Sequence, residues 1–257
     1  MCFALLALGQ HPEYPFVLVA NRDEFYARSA LAMHEWQDAE GVIAGRDCES
    51  MGSWLAVNKR DRRFALVTNV REGVPETAER SRGLLIRDLV DSDLSVMDGL
   101  TTLQAERQRY AGFNVLAGYL DGAVHYLSNR NVTEITSLTA GVYGLSNATL
   151  DTPWPKVQKG KQRLTELLAA GDIEPESLFA IMADNKTAAD EQLPDTGIGL
   201  ERERWLSSAF IDNPKVGYGT RCTTVILTGA DGRLELFERT FTSGVAVSDV
   251  TMCLPGS

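Results

Sequence analysis

Two short runs, Cys2 to Leu8 and Phe16 to Ala20, are apolar at every position, with no polar residue alternating through them. A strand that is apolar on both faces is covered on both faces, so it belongs inside a layered structure and not on its surface. The first run is short for a helix and stops at Gly9, and Gly9 to Pro15 is rich in turn formers. The pair therefore predicts an antiparallel hairpin. Setting Leu8 opposite Phe16 places Cys2 opposite Arg22 and Met1 opposite Asp23. Opposed residues of such a pair share a face, with Cβ atoms about 4.5–5.5 Å apart. A slip of one residue would put Asn21 or Asp23 where Arg22 stands.

Downstream, the pattern alternates between strand pairs and helices. Residues 27–50 read as irregular, with short candidate strands near Gly41 to Ala44. Trp54 to Asn58 and Arg63 to Val70 read as a second hairpin, and Phe113 to Leu120 with Ala123 to Ser128 as a third across Asp121-Gly122. Ser81 to Val90 and Ser95 to Tyr110 suit helices, each opened by a serine cap. Gly141 to Leu145 is a short strand, and Thr152 as cap with Pro153 in the first turn starts a helix striped by Val157, Leu164 and Leu168. Pro175 to Ala183 is another helix, Asp184 to Asn213 a polar excursion, and Tyr218 to Thr228 with Arg233 to Phe241 a closing hairpin. Doubly buried strands with helices in separate blocks predict an α+β fold of two stacked, mostly antiparallel sheets with helices outside, in a single domain over 1–257.

The net charge of −10 argues against a surface that neutralises phosphates, so no nucleic-acid partner is expected. The cations of Lys156 to Arg163 read as the wet face of a helix. Cys2, Cys48, Cys222 and Cys253 are scattered without C-x-x-C or a histidine at metal spacing, which argues against a structural zinc and a disulfide scaffold. No run approaches the roughly 18 apolar residues of a membrane span, and no signal peptide is evident. A cytoplasmic address is the expectation.

Cys2 has two readings. It is a small apolar residue of a buried strand, as most free cysteines are. Alternatively, removal of Met1 leaves a cysteine with both a thiol and a free α-amine, whose reference pKa of about 7.7–8.0 suits a base acting on its own thiol. A neighbouring arginine would favour thiolate. Asn21-Arg22-Asp23-Glu24 closes an otherwise apolar strand and reads either as a solvated turn or as a charged cluster beside that amine. Asn69, Asn147 and Arg221 each stand at the end of a strand-like segment, where an amide could serve an oxyanion or simply cap a loop. His11, His34 and His125 form no visible pair, and neither G-x-S-x-G nor a phosphate loop occurs.

The N-terminal Met-Cys, VANRDEFY (19–26), GRD (45–47), TNVRE (68–72), SRG (81–83), GFNVL (112–116), GLSNATLDTPWPK (144–156), LPDTGI (193–198), LSSAFI (206–211) and YGTR (218–221) resemble, in order and from end to end, the NRDE family, also called the transport and Golgi organisation protein 2 family. The resemblance implies an N-terminal-nucleophile hydrolase fold, a four-layer α/β/β/α sandwich. It also implies kinship with the choloylglycine hydrolase and acid ceramidase group, which cleaves amides with an N-terminal cysteine. The roles of that group would fall here on Cys2, Arg22, Asp23, Asn69, Asn147 and Arg221. Members are associated with haem trafficking and with lipid or acyl-CoA homeostasis. Two functions are therefore expected of the chain. One is binding and trafficking of a small molecule, haem first, with His34 and His125 as candidate ligands. The other is hydrolysis of a lipid- or acyl-amide by Cys2.

Overall fold

The structure is a computed structural model and describes residues 2–73, 78–131 and 134–256. The chain opens with β1 (Cys2–Leu8) and β2 (Phe16–Phe25), then β3 (Ala30–Glu35), β4 (Val42–Asp47), β5 (Leu55–Asn58) and β6 (Arg63–Asn69). Helices α1 (Arg82–Val90) and α2 (Val96–Ala105) follow, then β7 (Phe113–Tyr119), β8 (Val124–Ser128), β9 (Thr136–Leu138) and β10 (Gly141–Leu145). After α3 (Pro155–Ala170), α4 (Pro175–Met182) and α5 (Leu200–Trp205) come β11 (Asp212–Asn213), β12 (Tyr218–Thr228), β13 (Leu234–Thr242) and β14 (Val245–Leu254).

The strands form two sheets, β10-β1-β2-β12-β13-β14 with β11 on β12, and β3-β4-β5-β6-β7-β8-β9; every recorded pair is antiparallel. Between the sheets, Ala4, Leu6, Phe16 and Leu18 pack against Leu55, Phe64, Leu66 and Leu116. The other face of the first sheet, Phe3, Leu5, Val17 and Val19, packs under α3 and α4 through Val157, Leu164, Leu178 and Met182. The outer face of the second sheet lies under α1 and α2 through Leu85, Ile86, Leu89 and Leu100. This is the four-layer sandwich, and the apolar runs at the N-terminus are doubly covered because their sheet has helices on one side and a sheet on the other.

The first hairpin has the expected register, with Leu8 on Phe16 and Cys2 on Arg22; the pairing of Met1 with Asp23 lies outside the described residues. Ser81 and Ser95 cap α1 and α2 through their side chains. Several boundaries differ. Residues 27–50 hold two strands, β3 and β4, whose ladder is broken by a register shift that interrupts simple alternation. The second helix ends at Ala105 and passes into a 3-10 turn at Arg107–Arg109. Helix α3 is capped at Trp154, because the Thr152 hydroxyl and amide are both bonded to Thr149 in the preceding turn. The chain continues past the expected last hairpin into β14, reached through Ser243-Gly244 with φ of 47° and 75°, both in the left-handed region that two-residue hairpin turns require. Lys156 is not on a wet helix face: it is only 5% exposed, beneath the segment that follows α5.

Candidate active site

Cys2 opens β1 at the edge of a cavity of about 460 Å³ whose wall includes Arg22, Asp23, Asp47, Trp54, Asn69 and Arg82. Strand pairing alone brings Arg22 to it, since its Cα partners are Cys2 on β1 and Cys222 on β12. Arg22 lies between the sheets, 5% exposed, with its guanidinium 4.3 Å over the Trp54 ring and Nη2 donating to Asp47 at 2.7 Å. Asp47 is the residue sequence reasoning missed. It also accepts two bonds from Arg28, at 2.6 and 2.9 Å, and one from the Ser50 amide at 2.9 Å. Burial opposes its ionisation, but the bonds from Arg28 and Ser50 and the Arg22 charge together hold its pKa down to about 2. The GRD segment that carries it was a visible signal; its contact with Arg22 depends on the two sheets stacking.

Alternation sends Asn21 to the opposite face, where its amide donates to the carbonyls of Met182 and Ala209 and anchors the helical layer. Asp23 would follow it, yet Asp23 also lines the Cys2 cavity. The partner strand β12 shifts register between Thr220 and Cys222, and the Thr220 hydroxyl donates to Asp23 Oδ1 at 2.7 Å. Asp23 is 1% exposed, and burial raises its pKa. Burial likewise raises the Cys2 thiol, and this outweighs the opposing pull of Arg22, so the expected lowering by the neighbouring arginine is reversed.

Asn69, at the end of β6, lines the cavity. Asn147 stands behind it, its amide donating to Asn69 Oδ1 at 3.0 Å and to the Asn69 carbonyl at 3.2 Å, so Asn147 holds Asn69 in place. Arg221, at the irregularity in β12, does not line the cavity. Its Nη1 donates to the carbonyls of Phe25, Tyr26 and Arg28, which fixes the turn that presents Arg28 to Asp47. His34 and His125 lie on β3 and β8, bonded to the Ala32 carbonyl and the Ser137 hydroxyl, and neither borders the cavity. Among the described residues no cluster of three metal-ligating side chains occurs, and no helix is long and apolar enough to cross a membrane.

A second cavity of about 510 Å³ adjoins the first, sharing Glu24, Asn69, Arg82 and Ala111 with it. Its wall is apolar where the first is polar: Phe25, Ile198, Trp205, Leu206, Val216 and Tyr218. Phe25 and Trp205 both pack on the Tyr218 ring, at 5.1 and 5.5 Å between centroids. The floor is charged. Arg71 pairs with Glu203 at 2.6 Å, stacks 4.6 Å over Trp154, and shares the Leu206 carbonyl with Lys156. The polar stretch 184–213 reads in sequence as an excursion or lid, and Ile198, Trp205 and Leu206 meet Phe25, Val216 and Tyr218 only in the fold.

A sequence model described as Transport and Golgi organisation 2 matches residues 1–243. The chain is 33% identical to the Transport and Golgi organization protein 2 homolog of Bos taurus, over 93% of this chain and 92% of the relative. It is 32% identical to that of Homo sapiens over the same shares, and 28% identical to the Drosophila melanogaster protein over 94% and 93%. Among solved structures, the Caenorhabditis elegans N-acylethanolamine-hydrolyzing acid amidase ortholog superposes with a TM-score of 0.50 at 11% identity, covering 88% of this chain and 92% of that one. A variant of conjugated bile acid hydrolase from Clostridium perfringens superposes with a TM-score of 0.55 at 9% identity, covering 99% and 92%. At such identities these two likenesses concern the fold.

Proposed function

The chain belongs to the transport and Golgi organisation 2 family and has the N-terminal-nucleophile hydrolase fold, and from that premise we propose that it is a cysteine amide hydrolase. The nucleophile is the Cys2 thiol, and the base is the Cys2 α-amine once Met1 has been removed. The observation that carries this reading is the direct opposition of Cys2 and Arg22 at the mouth of a cavity that Asp23 and Asn69 also line. A buried thiol with a raised pKa stores its proton, so it needs a base at the moment of attack, and an amine near its own Sγ is placed for that. The thiol sulfur bonds to the amide carbonyl carbon as its proton passes to the amine. The C–N bond then breaks, the proton leaves with the departing amine, and water releases the acyl group from the thioester. Asn69, held by Asn147, is the donor available to the oxyanion, and Arg22, held by Asp47, contributes its charge.

Intact mass of the purified protein and turnover of N-acyl amides test this together. Loss of Met1 and turnover abolished by Cys2→Ala are expected; retention of Met1 sinks the free-amine mechanism. A second reading, a carrier of a small apolar molecule such as haem, is favoured by the aromatic wall of the second cavity. Titration with haem tests it, and absence of saturable binding at micromolar concentration removes it. His34 and His125 border neither cavity, so their substitution is expected to leave any such binding unchanged.

A further inference from the structure

Of the two guanidinium groups Arg22 and Arg82 on the cavity wall, only the second has charge left over for a ligand. Arg22 engages Asp47 through Nη2, and its Nη1, though without a hydrogen-bond partner, is enclosed by the protein and out of a ligand's reach. Arg82, the first residue of α1, donates Nη1 to the Gly112 carbonyl, and among the described residues no carboxylate lies within ion-pair distance of it. The other cations here are matched: Arg28 with Asp47 and Glu49, Arg80 with Asp88 and Glu106. Burial lowers the Arg82 pKa, and Glu24 and Glu72 oppose this only from beyond ion-pair distance, so a ligand anion in direct contact would offset the cost of sheltering that charge. The position of Arg82 is equally informative. It borders both cavities, so an anion held there sits between the thiol chamber and the apolar chamber.

We infer that Arg82 is the specificity determinant of this site and selects N-acyl amino acids. The carboxylate of the amino acid would lie on the Arg82 guanidinium and the apolar acyl group against Phe25 and Trp205. A carboxylate fits better than a phosphate dianion because Asp23, Glu24 and Asp47 also line the polar chamber, and a planar carboxylate matches the two N–H groups of one guanidinium edge. This inference rests on the hydrolase reading for its choice of an amide, but its test separates the two.

N-lauroylglycine and N-lauroylglycinamide share the acyl chain and the scissile amide and differ in that a charged carboxylate in one is a neutral carboxamide in the other. With wild-type protein, kcat/KM at least tenfold higher for the acid is expected. Arg82→Gln should bring the two substrates within about twofold, mainly by raising KM for the acid, while the glycinamide is barely affected. Arg82→Lys should restore part of the preference, and a wild-type melting temperature for both variants excludes misfolding as the cause. Equal kcat/KM for the two substrates in the wild type overturns the inference and leaves the hydrolase reading standing. So does a preference that survives Arg82→Gln. If neither is cleaved, the hydrolase reading fails, and equilibrium binding to Cys2→Ala, followed by tryptophan fluorescence, decides: binding at least tenfold tighter for the acid, lost on adding Arg82→Gln, supports Arg82 as the selector, and equal binding overturns it.

Discussion

Asp23 shows what one buried carboxylate implies. It is wholly enclosed, accepts the Thr220 hydroxyl, and burial raises its pKa. A raised native pKa means that the folded protein binds this proton more tightly than the unfolded chain does. The contribution of Asp23 to stability is therefore greatest below the unfolded value of about 3.9 and falls as pH rises through the native pKa. Asp23→Asn keeps an acceptor for Thr220 and removes the charge. The variant is expected to melt above wild type at pH 7, with the difference narrowing towards pH 4, and to lose turnover. An offset that is the same at both pH values would show that burial of this charge is not the cause. Lys156 is the companion case with the opposite sign of charge. Burial draws its pKa down to about 8, and its Nζ is held by the carbonyls of Leu206 and Ser208.

At the scale of elements, the wall of the apolar cavity is α5 and the turns on either side of it, and these have little packing of their own. Leu206, Ile211 and Tyr218 form only a small cluster, with Ile198 and Trp205 against it. What ties α5 down is the Arg71–Glu203 pair, 3% and 2% exposed, with Glu203 also accepting from the Thr196 amide and hydroxyl. Arg71→Met leaves that carboxylate buried and uncompensated, which should cost about 3–5 kcal/mol in urea unfolding. Adding Glu203→Gln removes the stranded charge, so the double variant should recover part of the loss. Additive losses in the double variant would rule out the pair as the anchor. The hairpin β1–β2 lies at the other extreme, since apolar residues fill both of its faces and its register needs no such clamp.

For the whole molecule, the four layers make β13 an interior strand only because β14 covers it. β14 presents Val245 and Val247 to solvent and packs Val250, Met252 and Leu254 against the inter-sheet core. Ending the chain after residue 243 would turn β13, which carries Leu234 and Leu236 at 0% and 1% exposure, into an open edge. Exposed, hydrophobic edges pair with other chains. Such a truncation is expected to lower the melting temperature and to produce concentration-dependent assemblies in size-exclusion chromatography; a monomer of unchanged stability would contradict this account. Of the strands that carry the site, β1 and β2 lie on the far side of β12 from this edge, and β4 and β6 belong to the other sheet. The truncated chain should therefore keep its reactivity at Cys2 for as long as it stays folded.

The hairpin and its register were legible in the sequence because they are local: two apolar runs, one turn, and a pairing that a single matched pair fixes. From that pairing, Cys2 beside Arg22 follows by counting. The sequence also carried the caps at Ser81 and Ser95, since each depends on residues a few positions apart, whereas the turn to β14 at Ser243-Gly244 was missed. Tertiary structure decided the rest. The contact of Asp47 with Arg22 and Arg28 requires one sheet to lie on the other, and the reach of Asp23 into the cavity accompanies an irregularity in a strand 197 residues away. Whether Lys156 is wet or buried depends on where the chain after α5 passes over it. The pairing of a polar chamber with an apolar one depends on Phe25, Trp205 and Tyr218 meeting from separate elements. Periodicity reports which face of an element is apolar, but not which element will cover it.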